Sequence, residues 1–230
     1  HINPSLCKEC GKCAKACPYN AIADLIRPCK RSCPVNAMTM DEYGVCQIDE
    51  SKCMQCGHCI HSCPFGAISS KAFLVDVVKA LVAGKRVVAM IAPSAEGQFG
   101  DGITIASWRE ALQQVGFADL VEVALGADMT ANAEAAEWME AYQEGKKKTT
   151  SCCPAFVNMI EKHYPMLKEN ISTTVSPMCA VSRKLKAEHP GTITVFIGPC
   201  VAKKSEVLEQ RLEGNADYVL TCLLYTSPSP

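Results

Sequence analysis

From residue 71 onward the apolar positions of this chain fall on regular periods. In FLVDVVKAL they stand at 73, 74, 77, 78 and 81, a helical spacing, and Gly84 supplies the stop. RVVAMIA is a β-branched run of strand length, ITIASWREALQQVGF has a helical period, and DLVEVAL reads as a strand. AEAAEWMEAYQ is a helix rich in Ala and Glu. TITVFIG, AKKSEVLEQRL and DYVLT follow as strand, helix and strand. Strands alternating with helices predict a mostly parallel α/β sheet. Ligands of such sheets gather at the carboxyl ends of the strands. There the chain puts APS (92–94), GAD (126–128), GPC (198–200) and, after the short stretch KKKTT, SCCP (151–154). One shared pocket explains this placement; ordinary turns with incidental buried cysteines explain it equally well.

The 230 residues suffice for one large domain or two smaller ones, and 48% hydrophobic content supports an ordinary core. A net charge of −1 points to neither a nucleic acid nor an anionic membrane as partner. No apolar stretch approaches the roughly 20 residues that a membrane span needs. No signal peptide is visible at the start, which is His1. The cysteines change the picture: there are 16, and eleven lie before residue 64.

CKECGKCAKACP supplies Cys7, Cys10, Cys13 and Cys17, and CMQCGHCIHSCP supplies Cys53, Cys56, Cys59 and Cys63. Both follow the C-x2-C-x2-C-x3-C-P spacing of two-cluster ferredoxins. Three thiolates two residues apart wrap one cubane, and the fourth cysteine reaches the other cluster. This assigns Cys7, Cys10, Cys13 and Cys63 to one [4Fe–4S] cluster, and Cys53, Cys56, Cys59 and Cys17 to the second. Zinc ribbons are the competing reading; two complete four-cysteine runs with trailing proline argue against them. An internal repeat complicates the assignment, because CPYNAI (17–22), CPVNAM (33–38) and CPFGAI (63–68) are three copies of one turn. Compact ferredoxins place the swapped ligand roughly 19 residues before the second motif. Cys33 lies 20 before Cys53 whereas Cys17 lies 36 before it. We take Cys17 as the ligand, with Cys33 as the alternative. Cys29 and Cys46 have no assigned role, and a third cluster on Cys29, Cys33 and Cys46 lacks an obvious fourth ligand.

TSCCPAFVNMIEKHYP together with GPCVAKKSE closely resembles the first two cluster-binding loops of the [FeFe]-hydrogenases. VVAMIAPS, GFADLVEVALGADMT and ISTTVSPM match the same family in order and spacing, and the resemblance runs from about residue 5 to 221. It implies an enzyme that interconverts protons plus electrons with H2. Its centre, the H-cluster, is a [4Fe–4S] cubane joined through a cysteine sulfur to a di-iron unit bearing CO and CN⁻. By the resemblance Cys153 and Cys200 are two of the four cubane ligands. Cys152 matches the proton carrier, a role suited to a thiol with an ordinary pKa of about 8.5. Glu134, Glu137 and Ser172 match the proton path; spacing alone reads the two glutamates as a solvated helix face. Lys203 is placed to donate to a cyanide ligand, with Glu206 to orient it, and Lys204 reads as a surface residue. Pro93 and Ser94 match the loop that packs on the di-iron unit, Ser94 as a donor to the other cyanide, and Met178 lies in the stretch lining the pocket.

Phe156 and Gly198 depart from a frequent Trp and a frequent Met of the family, and Cys179 is an extra thiol without a role. The family's third, glycine-rich loop, which supplies the other two cubane ligands, is absent. The last nine residues, CLLYTSPSP (222–230), equal the translation of a transposon-type sequencing adapter. We therefore expect a C-terminally truncated fragment that is inactive by itself, and we do not count Cys222 as a ligand. The expected architecture is an α+β two-[4Fe–4S] ferredoxin domain over 1–70, then a partial α/β, Rossmann-like parallel-sheet catalytic domain over 71–221. The expected partners are a small redox carrier such as ferredoxin, hydrogenase maturation proteins, and H2 and protons as substrates. The expected location is the cytoplasm, where thiolates stay reduced. The alternative is a hydrogenase-like redox sensor or iron–sulfur assembly protein without hydrogenase activity.

Overall fold

The computed structural model describes residues 2, 3, 6, 7, 11–19, 21, 22, 26–97, 100 and 102–221. Cys10 and the 222–230 tail lie outside the described residues. In chain order the first elements are short: α1 (Lys12–Ala16), α2 (Pro28–Arg31), β1 (Met38–Met40), β2 (Cys46–Ile48) and α3 (His58–His61). β1 and β2 form an antiparallel hairpin with Met38 opposite Ile48. α2 packs against α3 and each ends one residue before a Cys-Pro turn. Two copies of the repeat thereby pack against each other, and α2 also touches β1 of the hairpin.

The larger unit contains α4 (Leu74–Val82), β3 (Val87–Ile91), α5 (Ile105–Val115), β4 (Asp119–Glu122), α6 (Ala124–Gln143) and α7 (Pro154–His163). It continues with α8 (Pro177–Glu188), β5 (Ile193–Gly198), α9 (Lys203–Glu206) and β6 (Tyr218–Thr221). Four strands form one sheet in the order β4-β3-β5-β6, every neighbour parallel. Every residue of β3 is buried, as expected for a strand covered on both faces. Val87, Ala89 and Ile91 join Val77, Leu112, Phe117 and Leu120 in one core, beneath α4 and α5. Val88 and Met90 join Met178, Val181, Leu185 and Phe196 in the other, beneath α8. The strand period of two divides the run VVAMI between the faces.

The expected α/β alternation holds, with three shifts. DLVEVAL is a strand only to Glu122, and the next helix begins at Ala124, so GAD is helical and not a strand-end loop. Gly126 in that helix meets α8: a Cβ there would stand 2.2 Å from the Pro177 carbonyl oxygen. The helix expected over AKKSEVLEQRL shrinks to the single turn Lys203–Glu206. Beyond it the Glu206 carbonyl accepts both the Glu209 backbone N–H at 3.1 Å and the Asn215 side-chain amide at 3.0 Å. The helices α7 and α8 were not expected; each begins with Pro at its first position, behind Cys153 and Ser176.

The two units are in contact. The Lys162 ammonium, near the end of α7, donates to the carbonyls of Glu50 and Cys53, both at 2.7 Å. His163 meets the Lys52 carbonyl at 2.8 Å. Gly57 sits against Val201, where a Cβ would come within 3.1 Å of the valine.

Candidate active site

The carboxyl ends of β3 and β5 lie side by side, since Ile91 is in register with Ile197. Pro93 and Ser94 follow the first, as an exposed turn, and Pro199 and Cys200 follow the second. The Cys152–Cys153 loop reaches the same edge through Lys203, whose ammonium donates to the Cys152 carbonyl at 3.2 Å. Both cysteines are exposed, and Cys153 caps α7. Lys203 is itself buried, and Glu206 holds it at 2.6 Å. Ser176 donates to the other oxygen of that carboxylate. A buried ion pair survives only when further hydrogen bonds satisfy it, and here the Cys152 carbonyl and Ser176 supply them.

The acidic residues sit on the other side of the loop. Thr150 donates to Glu134 at 2.9 Å, and the Ser151 backbone N–H donates to the same oxygen at 3.1 Å. The Cys152 N–H in turn donates to the Thr150 hydroxyl at 3.4 Å. Glu137 accepts from the Thr173 backbone N–H at 3.1 Å and from its hydroxyl, and from Ser172. Burial pushes the Glu137 carboxyl up, but the Thr173 and Ser172 hydrogen bonds outweigh it and hold it below the ordinary glutamate range. The 149–151 and 172–174 segments are joined by the Ser172 N–H to the Thr149 carbonyl at 2.8 Å, and by Ser151 donating to the Thr174 carbonyl. One turn of α6 thus sets two carboxylates on two bonded segments, one of which leads to Cys152. Both glutamates are half-buried on an otherwise exposed stretch of α6, and each is tied to a loop by hydrogen bonds.

Two expected placements change. Met178 does not line the site: it is fully buried in the α8 core against the sheet. Lys204 is not a surface residue: it is buried, and its ammonium donates to Ser70 at 2.9 Å. Burial lowers its pKa. Nothing in the KK pair announces this, because the burial comes from the N-terminal unit packing over α9. Cys179 is fully buried in α8 and its thiol is pushed up by that burial. Thr150, Thr173 and Ser176 escaped the sequence reading; their hydroxyls became partners only when the loops met α6 and α9.

Seven cysteines of the 26–70 segment line two cavities. No three His, Cys, Asp or Glu side chains among the described residues stand close enough to share a single ion. A cubane is wider than an ion, and its thiolates sit around a cavity. One cavity of about 320 Å³ is lined by Cys33, Cys53, Cys56 and Cys59, and closed on the sheet side by Val201 and Lys204. A second, of about 870 Å³, is lined by Cys29, Cys46 and Cys63. Burial raises Cys53 and Cys59, whereas the amides of Phe65 and Ala67 hold Cys63 down.

A cysteine-lined unit set against the carboxyl edge of a parallel sheet is the architecture of an iron–sulfur oxidoreductase, and comparison with known proteins agrees. Residues 85–223 match the family described as iron only hydrogenase large subunit, C-terminal domain. The chain belongs to this family of iron-only hydrogenases. Residues 1–23 match a 4Fe–4S binding domain, and residues 23–74 an iron–sulfur cluster-binding domain named LdpA. Iron hydrogenase 1 of Clostridium pasteurianum is 32% identical across 92% of this chain and 40% of its own length. The periplasmic [Fe] hydrogenase large subunit of Nitratidesulfovibrio vulgaris is 30% identical across 64% of this chain and 39% of its own. The chain therefore spans about 40% of the length of these relatives. The apo [FeFe]-hydrogenase HydA1 of Chlamydomonas reinhardtii, in a cysteine-to-histidine variant, shares the fold. Its TM-score is 0.58 at 23% identity, over 66% of this chain and 45% of that one. No helix of the described residues is long and apolar enough to cross a membrane.

Proposed function

We propose that this chain carries part of an enzyme interconverting H2 with protons and electrons. Residues 1–70 form its electron-entry side, with two [4Fe–4S] clusters, and residues 71–221 the first part of its catalytic domain. The observation that carries the reading is Lys203, a buried cation between two cysteine loops, pinned by Glu206 at 2.6 Å and by the Cys152 carbonyl at 3.2 Å. Soft thiol donors beside a buried ammonium suit an anionic iron–sulfur group. When bound, the H-cluster supplies the redox chemistry and the binding of hydrogen.

The chain's own residues hold that group and move the proton. Cys153 and Cys200 are its ligands. Two of the three N–H donors of Lys203 are engaged by Glu206 and Cys152, and the third would donate to a cyanide of the bound group. Glu206 acts as a positioning residue for Lys203. Ser94 would donate to the second cyanide, with Pro93 beside it in the same exposed turn. The Cys152 thiol takes and releases the proton, which passes between Glu137 and Cys152 by way of Ser172 and Glu134. A cluster held by the thiols of the cavity behind Val201, which adjoins Cys200 in sequence, would supply the electron transfer. A small redox carrier such as ferredoxin delivers the electrons, maturation proteins install the di-iron unit, and the cytoplasm keeps the thiols reduced.

Two cubane ligands are half of those the family uses, so the 230-residue chain by itself is expected to evolve no H2. The decisive experiment replaces the matching segment of the Clostridium pasteurianum enzyme with residues 85–221 and matures the chimera anaerobically. H2 evolution from reduced viologen, abolished by Cys152→Ala and lowered at least tenfold by Glu137→Gln, is the expected result. A folded chimera that carries its iron but evolves no H2 sinks the enzyme reading in favour of a redox sensor.

A further inference from the structure

Cys29, Cys33 and Cys46 are absorbed by no part of the hydrogenase reading, yet they are not scattered. Cys33 faces the cavity of Cys53, Cys56 and Cys59; Cys17 is not among the residues that line it. Cys29 and Cys46 face the cavity of Cys63, and their two thiols are hydrogen-bonded to each other. The two cavities share an apolar wall of Met38, Ile48 and Ile68. The arrangement has an internal symmetry. Cys33 stands two residues beyond the end of α2 as Cys63 stands two beyond the end of α3, and each sulfur accepts a backbone N–H four residues on, from Ala37 at 3.2 Å and from Ala67 at 3.3 Å. Each of these terminal cysteines lines the cavity of the other helix: Cys33 with Cys59 of α3, and Cys63 with Cys29 of α2. That exchange is the crossing rule of two-cluster ferredoxins, realised here between the middle and last copies of the repeat.

We propose that residues 26–70 hold two iron–sulfur clusters by themselves, one on Cys33, Cys53, Cys56 and Cys59, the other on Cys29, Cys46 and Cys63. The swapped ligand of the last motif is then Cys33 in place of Cys17, and the first motif is needed for neither cluster. Cys46 comes from the hairpin and stands in for the two cysteines that the middle repeat lacks at Ala23 and Ile26. The Cys33 cluster abuts Val201 and Lys204, so it is the one next to the catalytic side. The Cys29 cluster is distal and has three thiolates, leaving one iron corner for a small exchangeable ligand. Each Fe–S bond formed releases one thiol proton to solvent; equal ferrous and ferric iron with sulfide balance the cubane. The proposal rests on the iron–sulfur reading of the N-terminal unit and is independent of hydrogenase activity.

The test uses the full 230-residue chain with Cys7, Cys10, Cys13 and Cys17 all changed to alanine. It is reconstituted anaerobically with iron and sulfide beside the unaltered chain. Iron and sulfide are counted, far-UV circular dichroism reports folding, and EPR is recorded before and after mild oxidation with ferricyanide. The fourfold variant is expected to keep two clusters' worth of iron, with one three-iron signal on oxidation, from the open-cornered distal cluster. Adding Cys33→Ala opens a second corner and doubles that signal. Adding Cys29→Ala with Cys46→Ala removes one cluster's worth of iron. Cys33→Ala in the otherwise unaltered chain adds the same increment of signal, should the fourfold variant not fold. A folded fourfold variant that keeps less than two clusters' worth overturns the proposal, as does a Cys33→Ala that leaves the EPR unchanged. If the unaltered chain loads iron, that failure leaves the iron–sulfur reading standing; an unaltered chain that takes up none overturns both.

Discussion

At the residue scale the site is governed by what a buried charge requires. Lys203 and Glu206 are both nearly fully enclosed, so each depends on the other. Glu206→Ala leaves the ammonium unpaired, and a loss of about 3–5 kcal/mol is expected in urea unfolding. Replacing both, as Lys203→Met with Glu206→Leu, is expected to restore most of that stability while abolishing activity of the chimera. Glu137 shows the opposite balance, since hydrogen bonds to its charged form outweigh burial. Its carboxyl is expected to titrate below the ordinary glutamate value of about 4.3, measured by carbon-13 NMR. Thr173→Val should raise that midpoint, because it deletes a donor to the ionised form. The sign for stability follows from a depressed folded pKa: the contribution is present above the ordinary range and is lost as pH falls through the lowered value. The roles proposed for Cys152 and Cys153 rest on a resemblance, because adjacent thiols differ only in what their surroundings ask of them.

At the scale of elements, a single glycine sets how two helices cross. Gly126 lets α6 approach α8 until backbone meets backbone at Pro177. Gly126→Ala is expected to cost about 1–3 kcal/mol or more as an overpacking change, read as a fall in Tm. It should also displace Glu134 and Glu137 from their loops, so lowered proton-path activity in the chimera accompanies the lost stability. The sheet was legible in the chain because a doubly covered strand reads as an unbroken β-branched run, and RVVAMIA and TITVFIG are such runs. The boundary at Glu122 was not legible. Val123 and Leu125 suit a strand as well as a helix, and the choice fell to Gly126 and its contact with α8. The short α9 was overestimated because AKKSEVLEQRL has helical composition, whereas after Glu206 the backbone passes into three-residue turns, Leu208 to Ser205 and Glu209 to Glu206, that do not continue the α-helical ladder.

At the scale of the molecule, the two units rely on different sources of stability. Among the described residues of 26–70, only Cys29, Ala37 and Met38 are buried apolar side chains, whereas the sheet carries two full cores. A segment this small needs metal to stay folded. Stripping iron from the reconstituted chain is therefore expected to raise hydrogen exchange across 26–70 while β3 and β5 stay protected. Equal loss of protection in both units would show that the sheet depends on the clusters as well. Lys162 and Lys204 join the units by bonds to backbone and to Ser70, so α7 links the Cys153 loop mechanically to Cys53.

The sequence by itself determined the chemistry of the parts: cysteine spacing for clusters, strand and helix periods for a parallel sheet, and a residue order shared with one family. All of these are local patterns, and local patterns survive without knowledge of the fold. Tertiary structure decided which parts meet. It buried Lys204, put Met178 in the core, and drew Thr150 and Thr173 to the two glutamates. It also set Cys33 beside Cys53, because the α2–α3 pairing and the hairpin bring the second and third repeats face to face. Spacing along a chain limits how far apart two thiols can be, and only packing decides which of the thiols within reach share a cavity.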